Sequence, residues 1–452
     1  MKRGWVSVRS TYPLEMSIGM ELYSTSTPGV GGNLKGRFED FIVEEIAPDR
    51  RLLSVQDWND KTPELQIPEE KAKFIRFDMQ KAGLTTIDVA TIIAAELDLP
   101  QHLVTYAGLK DKRAITTQQM SVPFRSAERL VNARLSRIQI SNLKSARNPV
   151  QIGDLWGNRF TIRLSNIDGD CDQAMESVRV LTKQPLLNYF GVQRFGVTRP
   201  FTHLVGKALV KDDFEEAAKL MLSVTTEYES EEITEARRKL ADDFTPDEDI
   251  LAAFPEGLRY ERELLKFLMK HPGEFERAIS RMPSRVLTIF VHAYQSYLFN
   301  RLVSQRAESS LPLGLPVPGD FLIKLDEAHS GRDSWLFVTE RNFEERSKLV
   351  ETGEYGLAIP LPGYSTKTPP SIQTDMLKNL MSEEDVRFQD FRKPKRKAID
   401  SAGGFHLLSI NLSDIIGECE EDHLVIRFQL RKGSYATVVM REIMKNDPIH
   451  RV

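Results

Sequence analysis

The sequence predicts an α+β protein, and three observations carry that prediction. Short segments rich in β-branched and aromatic residues mix irregularly with a helical segment in the first 170 residues, helical periodicity dominates from about 212 to 306, and a strand-like segment returns at 423–430. A regular βαβ array would space its strands and helices evenly, so the irregular order favours α+β.

The elements follow in order. "RFEDFIVEEI" (37–46) and "KFIRFDM" (73–79) alternate partially and read as strands. "TTIDVATIIAAELDLP" (85–100) reads as a helix, with Thr85 as its cap, Asp88 three residues on, and Pro100 just past its end. Further strands are expected at 102–107, 116–123 and 158–165. "DDFEEAAKLMLSV" (212–224) and "RVLTIFVHAYQSYLFNRLV" (285–303) read as helices, and "HAYQSYLFN" within the latter has the apolar spacing of a packing face. The basic run "FRKPKRK" (391–397) reads as a solvated linker before the strand "HLVIRFQL" (423–430). The expected domains are therefore 1–200, 201–400 and 401–452, the first and last belonging to one catalytic unit.

Composition narrows the class. A length of 452 residues with 41% hydrophobic content can build two or three cores. Two cysteines, Cys171 and Cys419, argue against a disulfide framework and fit a reducing cytosol. The eight histidines are dispersed, without metal-ligand spacing, so no metal is expected. The start of the chain has no apolar run of signal-peptide length, and no later segment has about 18 uncharged apolar residues, so a soluble, cytoplasmic protein is expected. The net charge of -4 hides an uneven distribution. Residues 101–150 hold nine Lys or Arg against two acids, a net of +7, whereas 201–250 hold six against fourteen, a net of -8. The basic segment is expected to wall a cleft for a polyanion, with Arg125, Arg129 and Arg134 lining it, and the acidic one to face away.

Two motifs carry candidate chemistry. In "YAGLKDKRAITTQQ" (106–119), Asp111 stands between Lys110 and Lys112, with Arg113 next and Gly108 beside a flexible turn. A solvated hairpin accounts for such a turn equally well. Neighbouring cations, however, favour the ionised form of a carboxylate and can grip phosphates, which suits chemistry on a nucleotide. In "LLNYFGVQRFG" (186–196), Asn188, Phe190 and Arg194 make either a tight packed corner or a nucleobase site, in which the ring stacks, the amide reads an edge and the arginine holds phosphate. The glycines of "PGVGGNLKG" (28–36) lack the ending of a phosphate-binding loop and read as a flexible loop. In "GSYATVVMREIM" (433–444), Ser434 reads as a helix cap, and Glu442 with Arg441 as polar residues facing a site.

Taken together, "AGLKDKRAITTQ" and "NYFGVQRFG" resemble the two signature motifs of the TruD family of tRNA pseudouridine synthases, and the resemblance extends to "LKGRFEDFIVEEI" (34–46), "AYQSYLFN" (293–300) and "GSYATVVMREIM". It implies a mixed, mostly antiparallel sheet of the pseudouridine synthase type with a family-specific inserted domain, here enlarged as in archaeal members. It also implies an isomerase acting on tRNA at nucleotide 13 without a cofactor. The catalytic residue would be Asp111. The substrate-binding residues would be Lys35, Lys110, Asn188, Phe190, Arg194 and Glu442. Phe38 stands where the family's first motif commonly has proline. The alternative is a non-catalytic RNA-binding protein or RNA chaperone of the same fold, against which the retained Asp111 speaks. A metal-dependent nuclease would need clustered carboxylates, and 101–150 offers only Asp111 and Glu128.

Overall fold

Strand Phe41–Ile46 alternates, with Phe41, Val43 and Glu45 on one face and Ile42, Glu44 and Ile46 on the other. In the computed structural model, which describes residues 8–58, 63–67, 71–168, 170–309, 311–325, 335–420 and 423–451, this strand is central to a sheet of ten strands. The order across the sheet is 416–420, 423–431, 157–167, 41–46, 115–123, 74–82, 138–146, 65–66. Strand 31–33 is added to 157–167, and 105–106 to 115–123. Among the described strands of this sheet, only 41–46 with 115–123 and 65–66 with 138–146 pair in parallel. The sheet is continuous across sequence ends, since Gly157–Leu164 pairs antiparallel with Leu424–Arg431.

Between leaving this sheet at Ile167 and returning at Ile416, the chain builds a helical layer and a second sheet. Helix Ser284–Glu308 is the axis of that layer, burying Tyr294, Leu298, Phe299 and Leu302 in a core it shares with helices 202–210 and 372–383 and strand 355–361. The second sheet has four antiparallel strands in the order 335–337, 321–324, 355–361, 404–407. A cavity of about 350 Å³ lies where the two sheets meet, lined by Trp156, Gln429 and Arg431 on one side and Leu357, Leu407 and Ser409 on the other.

Most expected elements form. Helix Thr86–Glu96 starts on the Thr85 and Asp88 capping box, and strands Phe74–Ala82, Ile115–Pro123, Gly157–Ile167 and His423–Arg431 stand where alternation placed them. Five readings are corrected. The strand expected at 102–107 shrinks to Thr105–Tyr106, because a 3-10 turn, Gln101–Leu103, follows Pro100. The glycine-rich stretch is no flexible loop: Gly31–Asn33 pairs with Ser165 and Ile167, and Gly31 is needed there, at φ +61° with Asp168 Oδ2 only 1.9 Å from where a Cβ would lie. The basic run is no solvated linker, since Lys393 and Arg396 both pair with Asp212, and Arg396 also with Glu276. Helix Ala436–Met444 is capped at Tyr435 and not by Ser434. Finally, Cys171 and Cys419 form a disulfide, because helix Cys171–Leu181 packs against the edge strand Ile416–Glu420. This removes the argument from free cysteines to a reducing compartment. No helix among the described residues is long and apolar enough to cross a membrane, and residues 1–7 of the basic start lie outside the described residues.

Candidate active site

One face of the large sheet carries two separate helix pairs. Helices 86–96 and 127–132 cover the half containing Phe77, Met79, Met120 and Val122. Helices 171–181 and 436–444 cover the half containing Val43, Phe160, Ile162, Phe428 and Leu430. Cross-strand register places Lys81 opposite Thr116, Gln118 opposite Met79, and Glu45 opposite Asn158 on this same face. Between the helix pairs the sheet floor is thus polar, with Glu45, Lys81, Thr116 and Gln118 all buried. Buried polar groups at core-facing positions cost stability unless paired, so their partners identify what the floor supports.

Three of the four, Glu45, Lys81 and Gln118, support the loop that carries Asp111, while the Thr116 hydroxyl has no hydrogen-bond partner among the described residues. The loop joins strands 105–106 and 115–123, which pair antiparallel. Thr86 Oγ1 accepts from the Lys110 amide at 2.9 Å and donates to Gln118 Oε1, while Gln118 Nε2 donates to the Gly108 carbonyl. Lys81 Nζ donates to the Asp111 carbonyl at 2.7 Å. The turn expected to be flexible is therefore pinned, and Gly108 has open space around the position of a Cβ. Burial pushes the Lys81 ammonium down to about 8, with Asp111 acting the other way and Lys110 reinforcing the drop.

Pinning the backbone leaves the Asp111 side chain half-exposed, at 43%, with the Lys35 ammonium 3.6 Å from Oδ2. Lys35 itself is buried, holds φ +60°, and sets its Nζ 4.5 Å over the Phe41 ring. Arg113 donates to the Lys35 carbonyl, tying the Asp111 loop to the segment 34–46. The arrangement is a carboxylate open to solvent on one side and backed by a fixed cation on the other. Such a carboxylate can add to an electrophilic carbon or take a proton from a bound molecule.

Lys110, expected at the substrate, is instead buried, 2.8 Å from Glu45 Oε2 and 2.5 Å from Asn158 Oδ1. It anchors the loop from below. Glu442 is also buried, and its carboxylate accepts from the Ser24 and Thr25 amides and the Thr25 hydroxyl, which fastens the N-terminal segment to helix 436–444. Arg441 is buried as well, with Glu15 as its partner. Neither residue of that helix faces an open site.

The second motif forms a separate cluster. Asn188 is wholly buried, and Phe190 is 7% exposed. His406 stacks on Phe190 with centroids 4.5 Å apart and planes at 21°, while Tyr435 and Phe299 flank the ring. Arg194 lies 5.8 Å from the ring centroid and donates to Ser296. Asn188 Nδ2 lies 3.2 Å from His406 Nε2 and donates to the Leu407 carbonyl. The fold brings this cluster to the same sheet face as Asp111: Asn158, which holds Lys110, is opposite Leu430, and the chain leaves that strand at Arg431 to reach Tyr435.

Three contributors escaped the sequence reading. Lys81 and Glu45 were detectable as charges at inward positions of apolar strands, while His406 gave no sequence signal. Of the arginines expected around Asp111, Arg125 follows Pro123 at the opposite end of strand 115–123. Arg137 is exposed beside Phe38 and Gly83, and its carbonyl accepts from the Ala82 amide at the Asp111 end of the sheet. Among the described residues, no group of three or more His, Cys, Asp or Glu is arranged to hold a metal.

Comparison with known proteins finds one family over nearly the whole chain. The family model for tRNA pseudouridine synthase D (TruD) matches residues 17–443. A probable tRNA pseudouridine synthase D of Methanosarcina mazei is 32% identical over 448 residues, covering 96% of this chain and 98% of its own. The corresponding protein of Archaeoglobus fulgidus is 34% identical over 436 residues, covering 96% and 100%. The crystal structure of a putative tRNA pseudouridine synthase D from Methanosarcina mazei matches with a TM-score of 0.80 at 30% identity, covering 97% of this chain and all of that one.

Proposed function

This chain belongs to the tRNA pseudouridine synthase D (TruD) family, and on that premise we propose that it isomerises uridine 13 of tRNA to pseudouridine with Asp111 as the catalytic residue. The observation that carries the proposal is the half-exposed Asp111 carboxylate, on a pinned loop and 3.6 Å from the buried Lys35 ammonium.

The reaction breaks the bond from C1′ to N1 and joins C1′ to C5 of the same base, with the C5 proton lost and N1 gaining one, so atoms and charge balance without a cofactor or redox partner. An ionised carboxylate serves it either by adding at C1′ or by removing a ribose proton. Both routes need one oxygen held against the sugar, and the fixed loop backbone supplies that placement. The uridine must first leave its stack, at a cost of a few kcal/mol. An aromatic seat returns about 1–3 kcal/mol per base, the role we assign to Phe190, with Asn188 reading the base edge. Lys112, Arg113 and Arg137, all exposed near Asp111, are the cations for the RNA backbone. We further take 201–400 as the inserted domain of a catalytic unit made from 1–200 and 401–452, and tRNA as a substrate implies a cytoplasmic enzyme. A merely RNA-binding protein has no use for a buried lysine facing a solvent-open carboxylate, which disfavours the non-catalytic alternative.

The test is pseudouridine mapping of an unmodified tRNA transcript incubated with the purified protein. Conversion at uridine 13 is expected. Conversion only elsewhere would refute the position, and no pseudouridine in any tRNA would leave the RNA-binding alternative.

A further inference from the structure

The stacking face and the amide of the second motif are both already engaged. His406 lies parallel on Phe190 at 4.5 Å, and its Nε2 meets Asn188 Nδ2 at 3.2 Å. The orientation of that amide is fixed. Nδ2 also donates to the Leu407 carbonyl at 3.1 Å, and turning the amide over would set oxygen against oxygen. Asn188 Nδ2 therefore donates to both, so His406 Nε2 is an acceptor and its proton sits on Nδ1. Burial, reinforced by Arg194, pushes the His406 imidazole down to about 4, so the ring is neutral at pH 7. Asn188 Oδ1, by contrast, is buried with no hydrogen-bond partner, and so is Ser434 Oγ. Gly433, next to Ser434, would place a Cβ only 3.5 Å from His406 Cε1. A buried amide oxygen with no donor is costly, and here it lies on the side chain that touches a flat, neutral, nitrogen-bearing ring.

We propose that His406 occupies the seat of the target base in the free enzyme, and that uracil displaces it, taking over the Phe190 face and the Asn188 hydrogen bond. The proposal rests on the reading of Phe190 and Asn188 as the base site. Uracil offers what His406 lacks: its N3–H donates to the orphaned Oδ1, while an adjacent carbonyl accepts the Nδ2 proton released by the imidazole. Cytosine can satisfy the same amide through its 4-amino group and N3, one atom along its edge, so the amide in this orientation fits a pyrimidine edge of either kind. The exchange keeps the apolar seat covered until a base arrives. His406 gates the seat in this scheme and takes no part in bond making.

Apparent affinity falls in proportion to the fraction of enzyme whose seat is open, so emptying the seat improves it. In His406→Ala the KM for tRNA is expected to fall about threefold or more, with kcat within about twofold of wild type. If that variant does not fold, His406→Gln, which keeps an acceptor but loses the ring, is expected to shift KM in the same direction. The direct readout is the His406 ring resonance in protein labelled with 13C-histidine, assigned by its loss in the Gln variant. In the free protein the Phe190 face shifts it, and saturating tRNA is expected to relieve that shift. A protein that makes pseudouridine while the resonance stays put, or whose variants lose kcat about tenfold at unchanged KM, overturns this proposal alone. One that makes no pseudouridine but whose His406 resonance moves on adding tRNA loses the functional reading and keeps this one. If neither occurs, both fall.

Discussion

The Lys110 and Glu45 pair separates two accounts of the loop around Asp111. If Lys110 grips phosphate, its removal weakens tRNA binding; if it anchors the loop, its removal weakens the fold. The two charges are 2.8 Å apart, with side chains 4% and 0% exposed. At an effective dielectric constant of about 20 their attraction is about 6 kcal/mol, much of it offset by desolvation. Removing one partner leaves the other buried and uncompensated, at about 3–5 kcal/mol. Lys110→Met and Glu45→Gln are therefore each expected to lower unfolding free energy by about 3–5 kcal/mol in urea titrations, and the double variant by less than either, with a coupling of about 3 kcal/mol or more. Salt dependence of tRNA binding by folded Lys110→Met should match wild type. Additive single effects, together with a salt slope shallower by about 0.7–0.9, would refute the anchoring role and restore the phosphate contact.

Three further outcomes follow from the same geometry. Turnover should fall as pH rises through about 8, where Lys81 loses its proton, and Lys81→Met should be slow and flat across that range; an alkaline limb unchanged in the variant would contradict this. The sign for stability is opposite: from about 8 to the ordinary value of 10.5 the unfolded chain holds the extra proton, so the Lys81 contribution to folding free energy rises with pH. Glu442→Ala should cost about 2–3 kcal/mol in urea unfolding by orphaning the Ser24 and Thr25 amides, while kcat of the folded enzyme stays within about twofold. Arg137→Ala should make the salt slope of tRNA binding shallower by about one contact, whereas Arg125→Ala, at the far end of its strand, should not.

How much of this was legible in the sequence depends on the range of each signal. Thr85 and Asp88 act across one helical turn, so their capping box could be read directly. Alternation located the main strands for the same local reason. The polar floor was readable in part: Ile75, Phe77 and Met79 mark an inward face on which Lys81 is next, and a lysine there needs a buried partner. Asp111 stood out because its cations are adjacent in sequence, yet which of them would face it was not readable. Lys35 reaches the carboxylate, while Lys110 turns toward Glu45. Contacts between distant segments left no trace. Helix periodicity could not show that Glu442 and Arg441 would be taken by residues 15–25, and nothing near Phe190 in sequence pointed to His406.

The central claim is that Asp111 performs the chemistry on a site otherwise complete, and Asp111→Asn tests it with almost no change in volume. Single-turnover pseudouridine formation and tRNA affinity should be measured on the same preparation. The account predicts affinity within a few-fold of wild type and no detectable pseudouridine, whereas a variant that still forms pseudouridine near the wild-type rate would contradict it.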